Sequence, residues 1–136
     1  MKYLLDSNCI AAAIKGRLPM AIKLSALKPG DVAVSAIGCM EAEAGLRGNP
    51  HAAARYTKLL REFFASVRVL DFGAVEVQQA VTLGGYLKQG GEELAGYDLL
   101  VAATALANQL TLVTDRPAAY AAVPGLEVEN WLGGKT

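Results

Sequence analysis

Asp6, Glu41, Asp98 and Asp115 are the side chains of this 136-residue chain whose type and placement could do chemistry together. Asp6 closes the apolar run Tyr3-Leu4-Leu5, Ser35 ends Val32-Ala33-Val34, and Thr114-Asp115 follow Leu110 to Val113. If these runs are strands of one parallel sheet, the residues just beyond them share a rim, where α/β proteins keep their ligands. Glu41 and Asp98 lie instead within apolar helical stretches, where an unpaired charge is costly and therefore informative. Glu41 falls six residues past Ser35, about one and a half helical turns, which turns it back toward the same rim. Carboxylates gathered in this way repel one another unless a divalent cation neutralises them. Magnesium or manganese takes oxygen ligands and lowers the pKa of bound water enough for attack on phosphorus. Metal-dependent phosphodiester hydrolysis is the chemistry these residues fit best.

Each acid also has a plainer reading. Asp6 could cap the first helix, Asp98 could be a helix-start residue favoured by capping and the macrodipole, and Glu43 competes with Glu41 for the inward face. Asp71 is read as the cap of the helix after Gly73, and Glu127 and Glu129 as the outward face of an edge strand. Other chemistries lack their residues. His51 is the single histidine and stands at an exposed helix start, there is no Gly-x-Ser-x-Gly elbow, and no phosphate loop of the Gly-x-x-x-x-Gly-Lys type occurs. Cys9 and Cys39 stand thirty positions apart without metal-ligand spacing, so both are expected to be reduced and structural.

Thirteen basic and thirteen acidic residues cancel, so a polyanion would need a local basic patch; Lys15, Arg17, Arg47 and Arg116 are the candidates around the rim. The chain begins directly with a short strand, without a signal-like segment, and no apolar run reaches membrane-spanning length. A soluble cytoplasmic protein without membrane contact is the expectation.

The elements that must position these residues follow from hydrophobic pattern and punctuation. Strands are expected at 2–5, 32–34, 67–70, 110–113 and 126–129, and helices at 8–15, 19–27, 37–47, from Asn49-Pro50 onward, 74–88 and 97–109. In the helix from Asn49-Pro50, Ala53, Tyr56, Leu59, Leu60 and Phe63 share the expected core face, and Gly84-Gly85 should weaken the helix over 74–88. With 53% hydrophobic residues and strands alternating with helices, the expected architecture is one α/β domain, residues 1–136: a three-layer sandwich around a mainly parallel sheet.

Taken together, Tyr3-Leu4-Leu5-Asp6-Ser7-Asn8, Val34-Ser35 with Glu41, the block Tyr97-Asp98-Leu99-Leu100-Val101-Ala102-Ala103-Thr104-Ala105, Leu112-Val113-Thr114-Asp115, and Val123-Pro124-Gly125-Leu126 running into Glu129-Asn130-Trp131 resemble PIN-domain ribonucleases. The resemblance is to the VapC-type toxins of toxin–antitoxin pairs and covers nearly the whole chain. It implies a PIN-like fold and a Mg2+- or Mn2+-dependent RNA endonuclease with Asp6, Glu41 and Asp98 as the principal acidic ligands. Ser7, Asn8, Ser35 and Thr114 would support the site. Family members commonly carry Asp or Asn two residues after the Thr, where this chain has Arg116; Asp115, one residue after it, is the candidate fourth acid. A homodimer inhibited by a VapB-type antitoxin is also implied. Two other readings stand beside it: a PIN-fold RNA-binding module with a degraded site, and a phosphoacceptor signalling domain, for which the usual acid pair and late lysine are missing.

Overall fold

Leu4 and Leu5 are neighbours in sequence yet belong to two different cores, because successive side chains of a strand point to opposite faces of its sheet. The computed structural model describes residues 1–133; the expected unit 1–136 extends past them, and residues 134–136 lie outside the described residues. In chain order the elements are β1 (Tyr3–Leu5), α1 (Ser7–Ile14), α2 (Leu18–Ser25), β2 (Val32–Ser35), α3 (Ala36–Arg47), α4 (Pro50–Ser66), β3 (Arg68–Leu70), α5 (Ala74–Gln89), α6 (Gly96–Ala107), β4 (Thr111–Val113) and β5 (Val128–Glu129). The strands form one parallel sheet in the order β3-β2-β1-β4-β5.

Register turns the alternation into two continuous apolar faces. Leu4 pairs with Ala33 and Leu112, and these three pack with Leu83 and Leu87 of α5 and Val101, Ala102 and Ala105 of α6. Leu5 pairs with Val34 and Val113, and these pack on the opposite side with Cys9 and Ile10 of α1, Met20 of α2, Leu46 of α3 and Leu60 of α4. The expected three-layer sandwich is therefore the architecture of the chain.

The helices start and stop for identifiable reasons. Asp6 caps α1, and Gly16, at φ 67°, takes the left-handed conformation that lets the chain leave it. Asn49 caps α4 by accepting from the amides of His51 and Ala52, with Pro50 in the first turn. Two expectations need correction, those on Asp71 and Leu59. Asp71 is exposed and does not cap α5; Glu76 instead accepts from the Gly73 amide at 2.9 Å and from Asn108 Nδ2 at 3.2 Å, joining the start of α5 to the end of α6. Gly84-Gly85 does not interrupt α5, and α6 packs closely there: a Cβ on Gly84 would touch Leu99 Cδ2 at 3.6 Å. Leu59 is 44% exposed while Leu60 is buried, so the core face of α4 is narrower than its apolar residues suggest.

Helix α6 ends two residues before the sequence pattern places its end, and β4 begins one residue later than expected. Gln109 adopts φ 56°, which ends the helix, and the Leu110 amide turns back to the Ala105 carbonyl at 2.9 Å. Among the described residues no helix is long and apolar enough to cross a membrane. Leu112 is wholly buried on the central sheet, so Leu112→Ala should cost about 3 kcal/mol of unfolding free energy, whereas Val75→Ala on the exposed side of α5 should change it by less than about 0.5 kcal/mol. Urea denaturation of both variants checks this; equal losses would contradict the packing described.

Candidate functional site

The chain runs from β1 outward through β2 to β3, then returns to lay β4 and β5 on the other side of β1. The strand order thus reverses beside β1, and a crevice opens between the carboxyl ends of β1 and β4, the place where open parallel sheets bind ligands. Asp6 leaves β1 into this crevice, its amide donating to the Val113 carbonyl at 3.1 Å. Its side chain is buried, with Oδ1 accepting from the Cys9 amide at 2.9 Å to cap α1. Oδ2 is buried too and has no hydrogen-bond partner. Capping therefore accounts for one carboxylate oxygen; the other has no partner in hydrogen-bond geometry, and the nearby Thr114 hydroxyl only partly eases the burial of the carboxylate.

Asp98 and Glu41 reach the same crevice from helices on opposite faces of the sheet. Asp98 stands in the first turn of α6, but that helix has no side-chain cap. Both Asp98 oxygens accept from Arg116 instead, Oδ2 from Nη1 and Oδ1 from Nη2, each at 3.1 Å. Glu41 faces the crevice from α3, while Glu43 turns toward Arg47 at 3.8 Å on the surface. Burial raises the Glu41 pKa above the ordinary carboxylate range and the charges of Asp98 and Asp6 add to it, opposed by Arg116 and the Ser7 hydroxyl. Burial likewise raises Asp6, with the Thr114 hydroxyl and the Cys9 amide opposing and the Asp115 charge adding. The acids thus feel one another's charge. In their present rotamers, no three carboxylates, thiols or imidazoles among the described residues are gathered tightly enough to hold an ion.

The supporting positions divide by what their polar atoms do. Ser35 caps α3, its Oγ accepting from the Gly38 amide at 2.8 Å. Thr114 is fully buried beside Asp6 and accepts from the Arg116 amide at 3.1 Å. Asn8 donates to Asp115 Oδ1 at 3.3 Å; Asp115 is exposed and acts on Asp6 through its charge. Ser7, Asn8, Lys15 and Glu41 line a cleft of about 260 Å³, and Glu41, Tyr97 and Asp98 line a second of about 670 Å³, so Glu41 borders both. Of the basic candidates, Lys15 lies in the first cleft with its ammonium 5.6 Å from the Tyr56 ring centre, Arg17 is exposed before α2, Arg47 is on the surface with Glu43, and Arg116 lies within the acidic group. Cys9 and Cys39 are both free thiols; burial raises Cys9 well above its usual range and Cys39 to about 11, so neither is a reactive thiolate.

Tyr120 is the site residue that sequence reasoning misses. It lies in the 3-10 turn Pro117–Tyr120, its hydroxyl is buried without a partner, and burial together with the Asp98 and Asp6 charges raises its pKa. The available signal was its place four residues after Arg116 in a Pro-started turn, which returns a side chain toward the strand end just left.

An α/β protein with an acidic crevice at the reversal of its parallel sheet is the class these features define. A model of the PIN domain matches residues 3–116. Over 133 residues the sequence is 31% identical to ribonuclease VapC2 of Rickettsia felis, across 96% of this chain and 98% of that protein. It is 24% identical over 131 residues to the tRNA(fMet)-specific endonuclease VapC of Shigella flexneri, across 96% of this chain and 98% of that one. The structure of VapBC2 from Rickettsia felis bound to a DNA fragment from their promoter matches with a TM-score of 0.86 and 28% identity, over 96% of this chain and 99% of that chain. The chain belongs to the PIN domain family, in its VapC branch.

A carboxyl whose pKa is raised by folding contributes stability that is fully present at acid pH and is lost as pH rises through the raised value. Asp6→Asn keeps a good helix cap and removes the charge. In metal-free protein this variant should match wild type near pH 4 and exceed its Tm at pH 7, measured by scanning calorimetry. A difference that does not change with pH would contradict the strained carboxylate.

Proposed function

We propose that the chain is a metal-dependent RNA endonuclease, the toxin of a VapBC-type pair, with Asp6, Glu41 and Asp98 as ligands of Mg2+ or Mn2+ and Asp115 assisting. The observation that carries this reading is the buried Oδ2 of Asp6, without a partner in a crevice where burial, and then the neighbouring acids, raise its pKa and that of Glu41. Such a donor set, all oxygen and excess negative charge, suits a hard divalent cation. When bound, the ion would supply Lewis-acid polarisation of the phosphate and an acidified water for attack on phosphorus.

The chain's own residues supply position. The Cys9 amide orients the Asp6 carboxylate, with the Thr114 hydroxyl beside it, and Ser7 and Asn8 at the start of α1 do the same for Glu41 and Asp115. The two clefts meeting at Glu41 give a nucleic-acid strand a path across the site, with Lys15 available to a phosphate and the exposed Tyr97 ring to a base. Arg17 and Arg47 would extend phosphate contact from the rim.

The names of the similar proteins support the biological setting: ribonuclease, tRNA(fMet)-specific endonuclease, and VapBC, a family of toxin-antitoxin systems. We read a VapB-type antitoxin as the partner, with Leu18 and Ile22 exposed on α2 as apolar surface for it. A second copy of the chain would meet the exposed Val75, Val81 and Tyr86 of α5. A cytoplasmic location suits the two free cysteines. The competing reading, a PIN-fold module that binds RNA without cutting it, draws on Arg116 where the family commonly has Asp or Asn. The family match leaves the phosphoacceptor reading without support.

Purified protein is expected to cleave members of an RNA panel in Mg2+ or Mn2+ and to stop in excess chelator. Asp98→Asn should lower the rate at least about a hundredfold while the circular dichroism spectrum is kept. Undiminished cleavage by that variant would sink the ligand assignment, and RNA binding without cleavage by wild type would favour the binding module.

A further inference from the structure

Arg116 stands where its charge has an unusual effect. Its backbone is fixed on both sides, by its amide on Thr114 Oγ1 at 3.1 Å and by Pro117, which opens the 3-10 turn. From that fixed base the guanidinium reaches Asp98 as a fork, two parallel hydrogen bonds of 3.1 Å that engage both carboxylate oxygens. The Asp98 side chain is 18% exposed and that of Arg116 is 47% exposed, so the pair lies at the mouth of the crevice, open to exchange with ions in solution. The fork presents positive charge to the same oxygens that a cation would need.

We propose that Arg116 is an internal counter-cation that competes with the divalent metal for Asp98, so that the site loads only when the guanidinium leaves. This rests on the metal-site reading above and adds a threshold to it. If only the fraction of molecules with Asp98 released can accept the ion as a full ligand set, the apparent dissociation constant rises by the inverse of that fraction. Tyr120, buried close enough to Asp98 to feel its charge and held in the turn that follows Arg116, stays in place when the guanidinium departs.

Binding of Mn2+ to the full-length protein, measured by isothermal titration calorimetry with no RNA present, tests this directly. Arg116→Met, which keeps an apolar stem and removes the fork, should bind Mn2+ about tenfold more tightly than wild type; Arg116→Lys, limited to a point charge, should fall between them. The gain should vanish when Asp98→Asn is added to both proteins. Melting supplies a second readout with opposite signs: Arg116→Met should lower Tm in chelator and raise it above wild type in excess Mn2+. Unchanged or weaker Mn2+ binding by Arg116→Met, or a gain that persists without Asp98, overturns the competition. Absence of Mn2+ binding from wild type and Arg116→Met alike overturns the metal-site reading itself, and the competition with it.

Discussion

Asp6 carries a carboxylate into a place that water barely reaches, at the end of the central strand, between β2 and β4 and beneath the first turn of α1. Burial opposes its ionisation, and only one of its oxygens is satisfied by the protein. A charge in that position is tolerated when neighbouring donors or a cation offset it. Much of the local structure can be understood as meeting that condition: the Cys9 amide offered by a helix that begins immediately after β1, the Thr114 hydroxyl brought alongside by the β1–β4 register, and a guanidinium placed on the adjacent Asp98.

The same constraint explains why the acids come from both faces of the sheet. Glu41 arrives on α3, which packs with α1 against one face, and Asp98 on α6, which packs against the other. Neither helix could bring a carboxylate to Asp6 if the strand order did not reverse beside β1, since only there do the layers leave a gap above the strand ends. The apolar composition of the chain serves this arrangement: short strands buried on both sides hold their ends rigidly, and rigid strand ends fix the distances between charges that repel.

The fold was legible because alternation and punctuation agreed along the chain. Strand, helix and glycine signals around Tyr3–Leu5, Val32–Ser35 and Thr111–Val113 placed the central elements, and the carboxylates fell out as the residues just beyond or just inside them. Boundaries were less visible where a tertiary contact decided them. The break at Gln109 depends on a left-handed backbone that its side chain does not announce, and the close approach of Leu99 to Gly84 of α5 is a tertiary contact. Asp71 misled because a short carboxylate ahead of a helix resembles a cap, while Glu76 does that work from inside the helix. The partnership of Arg116 with Asp98 and the burial of Tyr120 could not be read at all, because both depend on how the turn after β4 folds back over α6.

Anomalous diffraction from crystals grown in Mn2+ tests the central claim most directly, since it reports where the ion sits without reference to activity. The account predicts a strong manganese peak in the crevice at the ends of β1 and β4, within coordination distance of Asp6 Oδ2 and bordered by Glu41 and Asp98. Manganese found only elsewhere on the surface, with Asp6 Oδ2 still without a partner, would contradict it.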